Sequence, residues 1–247
     1  MPWDFWIIFL VLGVLVPWRG RARLKLLLSQ PPGGTKEKLA LYGATVAFQW
    51  VIAMLVGWRA FARGLTPQEM GLAHGVSAKL LVASVVGTVL LCAFQWFNLR
   101  RLGRASGPVV DLMRKLAERL LPTNSVQFAP YCALAVTAGV CEEFLYRGFA
   151  MAALTRAGLA TWLVVVLTSV LFGLAHAYQG RGGMIGTGLL GLVFALSKLA
   201  LTSLGPVMVW HAAVDVTAGV AGPRFLVVKQ SHEGDKETVL TNVESNT

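Results

Sequence analysis

The stretch whose reading decides the fold is Val126–Arg147, VQFAPYCALAVTAGVCEEFLYR. From Val126 to Val140 it carries no charged residue and is apolar enough to lie in a bilayer; Glu142, Glu143 and Arg147 then follow almost at once. Each such charge costs roughly 2.5–3.5 kcal/mol at the centre of a bilayer on insertion scales, so it needs a partner or a function. Successive helical residues lie about 100° apart, so the two acids cannot face the same way. Glu143 and Arg147 stand at i,i+4 with the acid first, the favourable order for an ion pair within one helix. Glu142 falls on another face, with Tyr146 and Phe149. The pattern predicts that Glu143 and Arg147 neutralise each other and fix the helix, which leaves Glu142 free for chemistry. The alternative is a charge cluster at a helix end in the membrane interface, with Gly148 closing the helix.

Composition supports a membrane setting. Hydrophobic residues make up 55% and charged residues 14%, with a mean hydropathy of +0.63, whereas soluble domains carry about 25% charged residues. The net charge of +10 raises the question of a nucleic-acid partner. Its lysines and arginines sit instead in short stretches between apolar runs, as membrane orientation requires, and no nucleic acid is expected. The three cysteines, Cys92, Cys132 and Cys141, lie in or beside apolar segments without a pairing pattern and read as packing residues; a nucleophilic role for Cys141 is the lesser alternative. The first apolar run lacks a basic leader and a cleavage site and reads as retained.

The expected fold is all-α, a polytopic transmembrane helix bundle of about seven spans. Trp3 to Trp18 is flanked by tryptophans and short for a span. A basic stretch with Arg19, Arg21, Arg23 and Lys25 follows, then the breaker Pro31-Pro32-Gly33-Gly34. Leu39 to Trp58 and Ser77 to Leu99 are spans; Arg59 to Lys79 reads as a loop, with His74 as a loop residue. Arg100 to Pro122 alternates Val109, Val110, Leu112, Met113, Leu116, Leu120 and Leu121 with charges at helical spacing. That pattern is an amphipathic helix on the membrane surface or, alternatively, a solvated linker helix. Val126 to Ala153, Leu159 to Tyr178, Met184 to Leu204 and Gly205 to Ala221 follow, with Lys198 able to snorkel. The tail from Lys229 is polar and expected to be disordered. The expected organisation is an N-terminal membrane region (1–123), a catalytic membrane domain (124–228) and a tail (229–247). The distribution of basic residues places the N-terminus outside and the tail in the cytoplasm. A plain bundle of seven crossings would leave His176 near one face and His211 toward the other, so a broken or re-entrant segment around Gly180–Gly188 is expected.

Two histidines in apolar runs each have a companion one helical turn away: Phe172 with His176, and His211 with Asp215. With Glu142 they form a set on three helices able to converge. These motifs, Glu142-Glu143…Arg147, Phe172…His176 and His211…Asp215, in this order on successive hydrophobic helices, resemble the CPBP family. That family comprises the type II CAAX prenyl endopeptidases and the bacteriocin-processing or self-immunity membrane proteases (the ABI or lysostaphin-resistance-like group). The resemblance runs from about Gln127 to Gly222; the first half of the chain resembles nothing identifiable. Asp215 stands where the prenyl endopeptidases carry asparagine.

The resemblance implies hydrolysis of a peptide bond within the membrane. Glu142 would be the general base, with His176 holding the attacking water, while His211 and Asp215 would steady the oxyanion. An ionised Asp215 would repel that oxyanion, so it would be protonated or act by orienting the imidazole of His211. Glu143, Arg147 and Phe172 would be structural support. The family's metalloprotease label raises zinc as a cofactor, with Glu142, His176 and His211 as its three ligands; a metal-free glutamate mechanism is the other option. The implied partner is a membrane-associated peptide or protein, prenylated or not, together with membrane lipid, in a prokaryotic plasma membrane. Other intramembrane chemistries lack their residues: no HExxH exists (His232-Glu233 lies in the tail), nor a Gly-x-Ser-Gly, nor a pair of membrane aspartates. A non-catalytic scaffold or bacteriocin-immunity factor, or a proton- or ion-coupled transporter, remains as the alternative function, although the halves show no transporter-like repeat.

Overall fold

The computed structural model describes residues 1–30, 33–73, 75 and 77–227; Pro31, Pro32, His74 and the tail with His232-Glu233 lie outside the described residues. The described chain is helical, without strands among those residues. Its helices are α1 (Trp3–Ser29), α2 (Thr35–Ala62), α3 (Ala78–Gly103), α4 (Pro108–Leu120), α5 (Ser125–Arg156), α6 (Thr161–Ala175), α7 (Gly180–Leu201) and α8 (Gly205–Phe225). Ser77 and Asn124 cap α3 and α5 by accepting from the backbone N–H groups of Leu80 and Gln127. Pro206 opens α8, where its missing N–H costs nothing.

Among the described residues, five helical segments are long and apolar enough to cross a membrane: α1, α2, α3, α5 and Ala177–Leu201, which joins a short 3₁₀ turn to α7. The chain is a multi-pass membrane protein. The two segments of the expected seven that fall short are informative. α6 has 15 residues, about 22 Å at 1.5 Å each, less than the roughly 30 Å of a hydrocarbon core. α8, not among the five, carries His211 and Asp215. Both bring polar candidate residues into the bundle.

Two expectations are corrected and one alternative falls away. The first span does not stop at Trp18. α1 continues through Arg19, Arg21, Arg23 and Lys25 to Ser29, because arginines and lysines continue a helix readily once it has passed the apolar layer. The Gly180–Gly188 segment is not broken. Gly180 takes a positive φ of 77° at the turn, and the helix then runs unbroken to Leu201. The alternative of a solvated linker is set aside for α4: it is an amphipathic helix whose Val110, Leu116 and Ala117 are buried, with Ala117 in a core cluster beside Leu99, Ala221 and Leu226.

The bundle has two ends. At one, Arg119 donates to the carbonyl oxygens of Leu27 and Gln30, Lys38 donates to Leu121 (2.7 Å), and Tyr42 donates to Leu120 (2.9 Å). These bonds bring both basic stretches, 19–38 and 100–123, to one side. At the other end Asp4 accepts from Arg59 and Arg63, and Arg156 pairs with Glu69 in the 63–77 connection. Lys198 reaches this end and donates to the Glu69 carbonyl (3.3 Å). The largest core cluster joins the two halves of the chain: Phe5 and Leu12 of α1 and Val56 and Ala60 of α2 meet Tyr146 and Phe149 of α5 and Phe172 of α6.

Candidate active site

The site is built on α5. Its helix does not end at Gly148 but continues to Arg156, so the charges are not a helix-end cluster. Glu143 and Arg147 are completely buried, 0% exposed, and pair at 2.8 Å. Between Phe144 and Ala150 the helix widens into a π-type turn, a feature common at functional sites. The extra residue breaks the regular 100° spacing. Phe149, expected on the face of Glu142, instead packs edge-on against Phe5 of α1 with ring centroids 5.0 Å apart.

Glu142 faces Gln49 of α2 and His176. Its Oε1 accepts from Gln49 Nε2 of α2 at 2.7 Å, and its Oε2 is buried without a hydrogen-bond partner. His176 Nε2 lies 3.8 Å from that free oxygen. The other ring nitrogen of His176, Nδ1, is 2.9 Å from the Phe172 carbonyl oxygen. A carbonyl only accepts, so Nδ1 carries the hydrogen, and in the neutral ring Nε2 keeps its lone pair toward Glu142. His176 and His211 both lie against the Phe172 ring, so the separation between them anticipated for a plain bundle does not arise.

His211 is held from below. Its Nδ1 donates to Glu143 Oε1 at 2.7 Å, and its Nε2 faces Asp215 Oδ2 at 3.7 Å. The imidazole is therefore aimed chiefly by Glu143, not by Asp215. Glu143 serves two basic groups through one oxygen, in the sequence Arg147, Glu143, His211, Asp215. α8 reaches this close to α5 because Gly139 has no side chain: a Cβ there would lie 2.7 Å from the Met208 carbonyl oxygen and 2.9 Å from the Ala212 nitrogen.

Phe172 is the hub. Its ring lies 4.8 Å from that of His176 and 5.8 Å, edge-on, from that of His211, with Tyr146 at 5.3 Å. The Arg147 guanidinium sits 4.0 Å above its face, a buried cation–π contact. The side chains of Glu142 and His176 are 19% and 14% exposed and that of Asp215 37%, so the site has a partly open side.

The predicted residues Glu142, His176, His211 and Asp215 are thus brought together, with Glu143, Arg147 and Phe172 beneath them. Gln49 was missed; it is the only side-chain amide in the apolar run from Leu39 to Trp58, and that isolation was its signal. Cys141, beside Glu142, is a buried free thiol. A metal needs its ligands gathered at one point, and among the described residues no three His, Cys, Asp or Glu side chains are so gathered. His211 Nδ1 is committed to Glu143, and its Nε2 faces Asp215.

Neither the curated proteins nor the solved structures give a match to this chain. A family model does: residues 124–217 match the one described as type II CAAX prenyl endopeptidase, Rce1-like. The matched segment contains α5 through the first half of α8 and therefore all three motifs, while Gln49 lies outside it. Over residues 124–217, and so over all three motifs, the chain is similar to the type II CAAX prenyl endopeptidases of the Rce1-like model.

Proposed function

We propose that the chain is a membrane-embedded, metal-free endopeptidase that cleaves a membrane-associated peptide or protein, including prenylated CAAX-type tails. One observation carries the reading: Gln49 holds Glu142 Oε1 and leaves Oε2 free, 3.8 Å from the lone-pair side of His176. That gap is too long for a direct hydrogen bond and suits one bridging water. The water gives one hydrogen to each group and attacks the scissile carbonyl carbon as Glu142 takes its proton. The same proton then passes to the leaving amine nitrogen as the C–N bond breaks.

His211 Nε2 is the donor for the tetrahedral oxyanion. Donation there requires the imidazolium form, in which Arg147, Glu143, His211 and Asp215 alternate in charge. An ionised Asp215 would oppose the oxyanion directly, so its contribution runs through His211. The host membrane is proposed to be a prokaryotic plasma membrane.

The test is proteolysis in nanodiscs on a peptide panel that includes a farnesylated CAAX peptide. Glu142→Gln should lower turnover by about 10²–10⁴-fold, the usual range for a general base, with His176→Ala and His211→Ala also inactive. Undiminished turnover by Glu142→Gln would overturn the assignment.

A further inference from the structure

Beside the site, but not part of it, lies a cleft at the basic end of the bundle. Its volume is about 330 Å³, and its walls are Arg21, Leu24, Lys25 and Leu28 of α1, Leu112 of α4, and Ala177, Tyr178 and Gly180 of the turn that follows His176. On α1 the spacing sets two stripes side by side, Arg21 with Lys25 and Leu24 with Leu28. Arg21 and Lys25 are exposed. No carboxylate, among the described residues, pairs with either. The stripes also sit at a definite depth. Counted from Trp3, about 20 helical residues cross a hydrocarbon core of roughly 30 Å, so Arg21 and Lys25 emerge at the level of the headgroups.

We propose that this cleft holds one anionic phospholipid, with its phosphate between Arg21 and Lys25 and an acyl chain over Leu24, Leu28 and Leu112. A soluble anion would use the two cations but not the leucine floor. An apolar peptide would use the floor but leave two cations unmatched. A phospholipid with net negative charge satisfies both. The bound lipid packs against Tyr178, whose ring lies 5.9 Å from that of His176, and so buttresses the turn that carries His176. The proposal concerns binding and stands whether or not the chain is a peptidase.

The test uses the full-length protein in detergent, with lipid retention counted by native mass spectrometry. Phosphatidylglycerol and phosphatidylcholine of identical chains are compared in wild type, Arg21→Gln/Lys25→Gln and Leu112→Trp. Wild type should retain one phosphatidylglycerol with a preference of roughly 10- to 25-fold, as two interfacial cations imply. The double variant should bring the two lipids to parity, and Leu112→Trp should lose both. Because Leu112→Trp also alters α4 itself, hydrogen exchange on wild type is measured as well; phosphatidylglycerol should protect the amides of residues 177–181. Equal retention of both lipids by wild type, an unchanged preference in the double variant, or no protection at 177–181 would each overturn the proposal. Displacement of the lipid by millimolar glycerol phosphate would also overturn it, in favour of a soluble anion.

Discussion

Asp4 and Glu143 do the same thing in two very different places. Each puts one carboxylate oxygen between two basic groups, Arg59 and Arg63 for Asp4, Arg147 and His211 for Glu143, and each leaves its other oxygen without a partner. At the Asp4 end the two arginines are about one-third exposed (30% and 35%), so water can replace what a broken pair loses. Around Glu143 both members of the ion pair are fully enclosed, and nothing can. The difference teaches that the outer cluster ties helix ends together, while the inner one fixes the direction of a ring. Only the inner one stands next to a carboxylate oxygen with chemistry open to it.

The sharpest way to break this comparison is Arg147→Ala. It strands a buried carboxylate and removes the cation over Phe172, so a loss of about 3–5 kcal/mol is expected, seen as lost folded yield and a lower unfolding temperature. An unchanged unfolding temperature would show that the inner pair is no more structural than the outer. Next comes Gln49→Leu, which removes a hydrogen bond to a charged group. Expected is a fall of about 10- to 100-fold in kcat, equivalent to roughly 1.5–3 kcal/mol, with the unfolding temperature nearly unchanged; an equal loss of stability would make Gln49 a packing residue.

Asp4→Asn is the matched test at the outer end and should cost about 1–2 kcal/mol without affecting turnover. The smallest effect belongs to Glu69. The Thr66 backbone N–H holds its carboxyl below the ordinary value of 4.5, against the opposing effect of burial, with help from the Thr66 hydroxyl and Arg156. A carboxyl held low when folded stabilises the protein above its unfolded value and loses that contribution as pH falls through the folded one. Wild type should therefore lose a little stability as pH falls below about 4.5, and Glu69→Gln should lose less. Identical acid melting curves would remove Glu69 from the account.

What the sequence made legible was local. The Glu143–Arg147 pair is an i,i+4 spacing, Phe172–His176 and His211–Asp215 are likewise, and the hydropathy of the runs sufficed for an all-helical membrane bundle. What it hid was the long-range partner of each local pair. Gln49 meets Glu142 across 93 residues and His211 meets Glu143 across 68, and no periodicity encodes either. The π-type turn escaped for a related reason: a widened turn keeps the composition of a helix while shifting which residues share a face. Phe149 was misplaced by that shift. The length of α1 escaped because Arg19 to Lys25 look like a loop by charge, although the same residues are good helix formers.

Gly139 gives the site a property that none of its charged members can supply. With the Met208 carbonyl and the Ala212 nitrogen where its first side-chain carbon would be, it acts as a shim of zero thickness between the helix of Glu143 and the helix of His211. Any thicker residue would wedge those helices apart and detune the 2.7 Å bond that aims the imidazole. A position with no functional group therefore sets the tolerance to which the functional groups are machined.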